Sequence, residues 1–426
     1  MAGPGHLFEV VPMDSPFLVF AGIDWAEESH AVCALVAGQP VDRHFANSPD
    51  GIADLATWLC SLVLTPGHVG VAIEVPHGPV VEGLLLRGFS VFAINPKQLD
   101  RQRDRYSLAG AKDDRRDAYV LADSLRLDPG SFRPVILPPA TIVELRAATR
   151  LRTRFVRTRV RLANQLRSQL LTCAPHYLSL SPAANEPWFW ELLALLKRPG
   201  ALTLRRAKVT TLLKRFRISR LSADDVLAVL GEPPLLLAPG TLEACSFTVA
   251  GLLPSLRLVA CELAGIERHI EALLGQLAQA SDDGTPSDAT IIDSYPGAGR
   301  VVVAGLLAEA YQPLVERDRG RLRAQSGCAP VTRRSGKTCF VAQRRSVNPQ
   351  LRDVLHFLAD AAMKNDPWAR AFYAAARARG HSHPRALRGL GDRILDQLIA
   401  MLASRQCFDP EARRGRYLSA PALDQP

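Results

Sequence analysis

Four carboxylates in the first third of the chain have positions that could support metal chemistry. Asp24 ends the apolar run FAGID and Glu74 ends the run VGVAIE, and both runs predict β-strands. Burial of a carboxylate at a strand end is unfavourable unless a cation compensates for its charge. Asp114 and Asp117 follow in the segment KDDRRDAYVLAD, three residues apart and therefore on one face of a predicted helix.

Hard oxygen ligands in this number favour Mg²⁺ or Mn²⁺ over zinc. A strand Asp, a central-strand Glu and helical acids resemble the metal constellation of RNase H-like enzymes, which use two metal ions for in-line phosphoryl transfer. We therefore predict a catalytic site for Mg²⁺ (or Mn²⁺) formed by Asp24, Glu74, Asp114 and Asp117. The simpler interpretation is that each acid caps a helix or pairs with an arginine, and for Asp114 the adjoining Arg115 and Arg116 favour it.

A second candidate, Ser335 in APVTRRSGKT, lies far along the chain. Arg333, Arg334 and Lys337 flank this serine, so a bound phosphodiester would be held against its hydroxyl group. The sequence SGKT is similar to a phosphate-binding loop, but the Walker A motif requires a glycine where Val331 stands, which excludes a P-loop. An ordinary serine in a surface loop would explain the same spacing.

The segment SYPGAGRVVVAGLLAE (294–309) has a Gly-x-Gly turn at a predicted helix start. Helix-hairpin-helix DNA-binding motifs have such a turn, and its backbone amides could bind a phosphate without reading sequence. An ordinary turn between two helices explains the pattern equally well.

The composition indicates a polyanionic partner. The 426 residues include 52 Lys and Arg against 42 Asp and Glu, a formal charge of +10, and all but seven of the basic residues are arginine. Guanidinium groups pair bidentately with phosphate, so a nucleic acid is the expected partner. A basic housekeeping enzyme would have the same charge balance.

Several classes of protein are not expected. No apolar run is long enough to span a bilayer, and the N-terminus lacks the pattern of a secretory signal. The eight cysteines include no CxxC pair, which argues against a zinc ribbon or a disulfide scaffold. We therefore predict a cytoplasmic protein without membrane contact.

The chain is predicted to have three parts. Residues 17–128 alternate between strands and helices, which predicts an α/β domain. Residues 138–280 predict two long helices around a helical insert at about 180–250, and heptad spacing from Leu256 to Leu277 predicts a coiled coil. The long helices are expected to form an antiparallel hairpin, with the seam inside one chain or between subunits. After a linker, residues 288–409 predict a mainly α-helical C-terminal domain.

Both ends of the chain resemble one known family. The N-terminal part resembles the RuvC-like domain of DEDD transposases, the insertion-sequence recombinases of the IS-one-ten type, in FAGIDWAEESHAV, VAIEVPHG, FAINPKQLDRQR and AKDDRRDAYVLAD. The C-terminal part resembles the transposase domain of that family in IDSYPGAGRVVVAGLLAE, SGCAPVTRRSGKT and NDPWARAFYAAARARG. The segments occur in the order of the family, which makes their combination more specific than any single motif.

The resemblance implies an RNase H-like, RuvC-like fold for residues 17–128, a metal-binding tetrad at the four acids named above and a nucleophilic Ser335. The family motif before the third acid usually reads Lys-Thr-Asp, whereas this chain has Lys112, Asp113 and Asp114. Similar proteins form tetramers in which the RuvC-like domain of one subunit faces the serine domain of another. They also use a structured RNA, transcribed from the ends of the element, that pairs with donor and target DNA.

The sequence therefore predicts a DNA transposase that cleaves and exchanges DNA strands through a phosphoserine intermediate. The expected partners are donor and target DNA, a structured guide RNA, and further copies of the chain in a dimer or tetramer. The expected location is the bacterial cytoplasm, at the nucleoid. The residues predicted to contact nucleic acid are Lys112, Arg115, Arg152, Arg159, Arg333, Arg334, Lys337, Arg344 and Arg345.

Two other functions fit part of the pattern. A RuvC-like endonuclease, such as a junction resolvase, would use the same acids with water as the nucleophile. A decayed transposase would only bind nucleic acid, but the presence of Asp24, Glu74 and Ser335 argues against decay.

Overall fold

The computed structural model describes residues 16–94, 96–106, 113–196, 204–233, 235–279, 284–336 and 338–411. The chain divides after Leu137 into two compact units. The first unit contains the predicted α/β domain, and the second contains both predicted helical regions. The further division of the second unit into two domains stays a prediction. Lys112 and Lys337, two of the predicted nucleic-acid contacts, lie outside the described residues.

A six-stranded mixed sheet forms the centre of the first unit, which confirms the predicted α/β class. Its strands are β1 (Val19–Asp24), β2 (Ser29–Val36), β3 (Gln39–Ala46), β4 (Val69–Ile73), β5 (Ser90–Ala93) and β6 (Arg133–Pro134). Their order across the sheet is β3-β2-β1-β4-β5-β6. Strands β1, β4 and β5 are parallel, whereas the pairs β1–β2, β2–β3 and β5–β6 are antiparallel.

Helices pack on both faces of this sheet. They are α1 (Pro49–Ser61), α2 (Pro79–Leu85), α3 (Pro96–Tyr106) and α4 (Asp114–Leu127). Val19 and Ile23 of β1 lie in the core that includes α1 and α2, whereas Phe20 lies in the core that includes α4. Because successive side chains of a strand point to opposite faces, Gly22 and Asp24 belong to the α4 face.

Helix α4 crosses β1 so closely that the strand has no room for a side chain at Gly22. A Cβ atom at this position would lie 2.0 Å from the carbonyl oxygen of Ala118 and 2.6 Å from the amide nitrogen of Ala122. Both are backbone atoms of α4, so no change of rotamer could relieve the overlap. The glycine therefore sets the distance between this helix and the sheet.

The second unit is mostly helical, as predicted. Its helices are α5 (Ala140–Cys173), α6 (Pro187–Leu196), α7 (Arg206–Arg215), α8 (Ala223–Gly231), α9 (Thr241–Leu277), α10 (Asp288–Asp293), α11 (Arg300–Glu309), α12 (Tyr311–Val315), α13 (Arg319–Ser326), α14 (Pro349–Asn365), α15 (Pro367–Ala378) and α16 (His383–Ser404). Helices α6 to α8 form the predicted insert between α5 and α9.

The two longest helices, α5 and α9, pack against each other in opposite directions. Near the start of α5, Glu144 lies 2.9 Å from His269 near the end of α9, and Arg152 pairs with Glu267 at 2.7 Å. Leu256, in the first half of α9, instead shares a core with the far end of α5. The predicted antiparallel hairpin is therefore present within one chain.

By length and composition alone, α9 could also cross a membrane, because its most apolar window has a mean hydropathy of 1.6. A core helix of a soluble protein meets the same criterion, and Leu256, Leu263 and Ile270 of α9 are buried. No other helix in the described part of the chain meets it. We therefore treat α9 as one half of the helix pair.

The second unit also contains a feature that the sequence analysis did not predict. Strands β7 (Val331–Ser335) and β8 (Thr338–Ala342) form a two-stranded antiparallel ribbon, with Ser335 opposite Thr338. Gly336 follows Ser335 in the two-residue turn and has a φ of 54°, which suits a tight hairpin. The ribbon is largely exposed.

The contact at Gly22 gives a stability prediction. Substitution of Gly22→Ala forces the strand and α4 apart, and we expect it to lower the free energy of unfolding by about 3 kcal/mol, as overpacking of a close contact does. Urea denaturation of the full chain, followed by circular dichroism, measures this loss.

A glycine inside a helix provides the control. A Cβ atom at Gly265 of α9 would meet nothing within 4 Å, so Gly265→Ala should stabilise the protein by about 0.5–1 kcal/mol. Equal midpoints for Gly22→Ala and the unaltered chain would show that the helix does not depend on this glycine.

Candidate active site

Asp24 and Glu74 lie next to each other at the carboxyl ends of two neighbouring central strands of the sheet. The parallel strands β1 and β4 pair Ile23 with Ile73, so Asp24 and Glu74 are the residues that follow on the two neighbouring strands. Both side chains are half-buried. The carboxyl ends of parallel strands are where ligand sites of α/β sheets form, and here they present two carboxylates side by side.

Helix α4 brings its first turn to the same strand ends. Gly22 touches the helix at Ala118 and Ala122, and a Cβ at Gly70, near the start of β4, would lie 3.3 Å from Leu125. The helix therefore runs opposite to β1, and its N-terminus points toward the strand ends that carry Asp24 and Glu74. Since Asp114 and Asp117 occupy that first turn, the fold directs all four predicted ligands to one region.

Asp117 is buried and paired with an arginine. Its side chain is only 4% exposed, and its two oxygens accept hydrogen bonds from Nε and Nη2 of Arg103 on α3, each at 2.8 Å. Burial alone would lower the pKa of Arg103, but the carboxylates of Asp117 and Glu74 raise it. The guanidinium group thus compensates for the charge of a carboxylate that has almost no contact with solvent.

This ion pair bears on metal binding. Among the described residues, no group of three or more acids, histidines or cysteines lies close enough together to hold a metal ion. Both oxygens of Asp117 are occupied by Arg103, so a metal ion would have to take the place of the guanidinium group at this carboxylate. The donor set itself, carboxylate oxygens around a position that already accommodates positive charge, suits a hard divalent cation.

The extra acid Asp113 has a structural role. Its side chain accepts a hydrogen bond from the backbone amide of Arg115, which makes Asp113 the N-cap of α4. Threonine is also a favourable N-cap residue, so Lys-Asp-Asp can start the helix as Lys-Thr-Asp does. Asp114, the first residue of α4, is exposed. Of the two arginines that adjoin Asp114, Arg115 pairs with Asp42 at 2.9 Å, and the alternative that Asp114 pairs with an arginine stays a prediction.

Ser335 lies at the turn of the exposed ribbon, with its side chain exposed. Because side chains alternate along each strand, Arg334 points to the opposite face of the ribbon from Ser335. Arg333 is two residues away in β7, and its side chain lies outside the description. The hydroxyl group is therefore accessible to a large substrate such as a nucleic acid.

The other predicted nucleic-acid contacts differ in their surroundings. Arg334 and Arg345 are exposed, and Arg344 is half-buried with an Nε atom that has no hydrogen-bond partner among the described residues. Arg159 on α5 has the same property. Arg152 forms an ion pair with Glu267 that connects α5 to α9.

Several arginines of α5 hold the fold together. Arg146 donates a hydrogen bond to the carbonyl oxygen of Ala308 at 2.7 Å, and Arg150 pairs with both carboxylate oxygens of Glu309. Glu309 is buried and lies at the end of α11. The arginine-rich helix is therefore partly an internal structural element rather than a wholly solvated surface.

The first glycine of the Gly-x-Gly turn packs against a helix, whereas the second, Gly299, is exposed. A Cβ atom at Gly297, whose φ is 88°, would lie 2.7 Å from the backbone nitrogen of Ala362 in α14. This glycine therefore permits a close contact between the turn and a helix, which is the ordinary explanation of the pattern.

Sequence reasoning missed two residues of this site, Gly22 and Arg103. Gly22 stands two residues before Asp24 in an apolar strand, where glycine usually marks a close backbone approach, so a signal was present. Arg103 is one of several arginines in α3, and nothing in the spacing distinguishes it from Arg101.

Comparison with known proteins identifies the family. A family model for DEDD transposases of the IS110 type, described as "Transposase", matches residues 21–175. A second model, "Transposase IS116/IS110/IS902 family", matches residues 289–374. A Streptomyces coelicolor protein named as a mini-circle transposase for IS117 is 31% identical over 95% of this chain and 98% of its own length. This chain belongs to the IS110 family of transposases.

Two further relatives agree with this assignment. A Sinorhizobium fredii protein named as transposase y4uE is 43% identical over 48% of this chain, which covers 58% of that relative's length. The IS110 insertion element protein of Streptomyces coelicolor is 28% identical over 94% of the chain and 98% of its own length. The predictions of an IS110-type transposase and of a DNA-recombining enzyme are thereby confirmed at the level of the family.

The pair between Arg103 and Asp117 gives a prediction for the IS110-family chain. Substitution of Arg103→Met leaves a buried carboxylate without its cation, and in EDTA we expect a loss of about 3 kcal/mol in unfolding free energy. Mg²⁺ or Mn²⁺ should then restore more stability to the variant than to the unaltered chain, because no guanidinium group competes for Asp117. Urea denaturation with and without metal measures both effects.

Arg101→Met, an exposed arginine on the same helix, is the matched control and should change neither quantity. The interpretation fails if Arg103→Met unfolds at the same urea concentration as the control, or if metal stabilises both proteins equally.

Proposed function

We propose that this IS110-family transposase cleaves and exchanges DNA strands with a divalent metal centre and a serine nucleophile. The observation that carries the proposal is the register of β1 and β4, which sets Asp24 beside Glu74. The first turn of α4, with Asp114 and Asp117, points toward the same strand ends. Convergent carboxylates of this kind serve phosphoryl transfer on nucleic acids.

The sheet supports an RNase H-like, RuvC-like fold for the first unit. Three antiparallel strands, β3-β2-β1, continue into the parallel strands β4 and β5, with helices on both faces. The pairing of α5 with α9 likewise supports a coiled-coil arrangement in the second unit, since most of its predicted seam, including Leu263 and Leu273, is buried. The division of the second unit into a hairpin domain and a C-terminal domain stays a prediction, since the base of the hairpin shares a core with the C-terminal helices.

Asp24, Glu74, Asp114 and Asp117 would hold Mg²⁺ or Mn²⁺ in this proposal. Bound divalent ions would polarise the scissile phosphate and stabilise the charge that develops on the leaving oxygen. Arg103 compensates for Asp117 in the metal-free chain and would have to release it. The two hydrogen bonds from Arg103 would keep the Asp117 side chain oriented until a metal ion binds.

Ser335 would form the covalent intermediate. Its Oγ atom attacks the phosphorus, an Oγ–P bond forms, and the bond from phosphorus to the 3′-oxygen breaks. The serine proton is lost to a nearby base, and the departing 3′-oxygen becomes a hydroxyl group. The DNA 5′ end stays linked to the serine, so a new 3′-hydroxyl group can reverse the reaction without ATP.

The hydroxyl group and the carboxylates must reach the same phosphate, within one chain or between chains. We propose a homo-oligomer, a dimer or tetramer, in which the RuvC-like unit of one copy serves the serine of another. We further propose that donor and target DNA are selected by a structured RNA from the ends of the element and that the protein works in the cytoplasm at the nucleoid. The net charge of +10 supports a nucleic-acid partner.

The nucleophile is tested by Ser335→Ala. The expected result is complete loss of the covalent protein–DNA adduct, because alanine has no oxygen to attack phosphorus. The substrate is labelled DNA containing the joined ends of the element, supplied with RNA transcribed from them, and the adduct is detected on a denaturing gel.

Ser346→Ala is the control, since Ser346 is an exposed serine close to the ribbon, and its adduct should form normally. Free cleaved DNA produced equally by the unaltered chain and Ser335→Ala would instead indicate a water nucleophile, as in an endonuclease.

The carboxylates are tested by Glu74→Gln. We expect cleavage to fall at least about 100-fold while DNA binding is retained, because the amide keeps the shape but loses the charge that holds the metal. Glu82→Gln, an exposed residue of α2, should behave as the unaltered chain. Normal cleavage by Glu74→Gln would remove Glu74 from the site.

A further inference from the structure

The two faces of the β7–β8 ribbon are chemically different. Ser335 pairs with Thr338, and Arg333 pairs with Phe340. Directly opposed residues share a face and residues two apart along a strand share a face, so Ser335 and Phe340 lie on the same face. Val341 lies on the other face.

Phe340 is a large apolar side chain that is exposed. Its exposed fraction is 59%, the same as that of its neighbour Val341. The ribbon is a separate two-stranded sheet, and an isolated two-stranded ribbon gains little stability by itself. An aromatic ring held in solvent beside a reactive hydroxyl group therefore suits contact with something that the ribbon binds.

The charge of the ribbon segment indicates which kind of molecule it binds. Residues 331–345, the ribbon and the three residues that follow, contain four arginines, one lysine and no acid. Arg334 and Arg345 are exposed, and Arg344 is half-buried. An exposed aromatic side chain in a segment rich in basic residues is the combination with which proteins bind single-stranded nucleic acid.

We propose that Phe340 stacks on an unpaired base of the DNA strand that Ser335 attacks, at a nucleotide next to the scissile phosphate. The inference rests on the proposed function and adds a substrate-binding residue to it. Diagonal neighbours across an antiparallel pair are separated by roughly 7–8 Å, so a phosphate at Ser335 leaves the base of an adjoining nucleotide within reach of the ring. Stacking of this kind tolerates any base, which suits an enzyme whose target is chosen by other means.

The test compares the two equally exposed residues of β8. Phe340→Ala should slow formation of the serine–DNA adduct roughly 5- to 100-fold, the range expected for loss of one aromatic stacking contact. Phe340→Trp should keep most of the rate. Val341→Ala, on the face away from Ser335, should leave it unchanged.

A modified substrate separates stacking from a structural role. The same labelled DNA is prepared with an abasic site at each nucleotide that flanks the cleavage position. At the stacked position, the abasic site should slow the unaltered chain about as much as Phe340→Ala does. It should have no further effect on Phe340→Ala, since the contact is already lost.

The outcomes are distinct. Equal slowing of both proteins by every abasic site, or a normal adduct rate for Phe340→Ala, overturns the stacking contact but leaves the serine mechanism intact. A change in the sedimentation of DNA-free protein on Phe340→Ala shows that the ring packs on another copy of the chain, which also overturns it. If the unaltered chain forms no adduct, the proposed function itself fails. A photo-crosslink from 5-iodouracil at the flanking position to Phe340 supports the contact independently of activity.

Discussion

The candidate active site depends on one steric constraint, the absence of a side chain at Gly22. The backbone of α4 fills the space where a Cβ atom would stand, at Ala118 and Ala122. This contact fixes how far α4 lies from the sheet and how far its first turn extends past the end of β1. The first turn of α4 points toward the strand ends that carry Asp24 and Glu74, and the close contact at Gly22 sets this position of the helix.

Electrostatics sets the second condition. A buried carboxylate requires a compensating positive charge. Arg103 provides it for Asp117, the most buried of the four predicted metal ligands. In the second unit, an arginine likewise compensates for the charge of a buried carboxylate, since Arg150 pairs with Glu309. Burial alone would raise the pKa of Glu309, but hydrogen bonds from Arg150 and Asn348 lower it. Asn348 is the N-cap of α14 and follows the ribbon segment closely. Its hydrogen bond to Glu309 connects this part of the chain to α11, and Arg150 connects Glu309 to α5.

The sequence was sufficient for features that depend on local patterns. Apolar runs predicted β1 and β4 and placed Asp24 and Glu74 at their ends, and the parallel pairing of the two strands makes these residues neighbours. Pairings between distant segments could not be obtained in this way. No periodicity connects Arg103 with Asp117 or Arg150 with Glu309, since each depends on how separate helices pack.

The ribbon was missed for another reason. VTRRSGKTCFVA contains a glycine-lysine turn between two short strands, which is a hairpin signal. The same residues, SGKT, are similar to a phosphate-binding loop, so the sequence alone also fits a loop at this position. The pairing of Arg333 with Phe340, and with it the difference between the two faces, becomes visible only in the three-dimensional arrangement.

The central claim is that carboxylates from β1, β4 and α4 share a metal ion. Anomalous diffraction from crystals grown with Mn²⁺ tests it most directly. We expect a manganese peak roughly 2 Å from carboxylate oxygens of both Asp24 and Glu74, with Asp117 released from Arg103. A peak elsewhere in the chain, or Asp24 and Glu74 without metal while Asp117 stays paired, would contradict it.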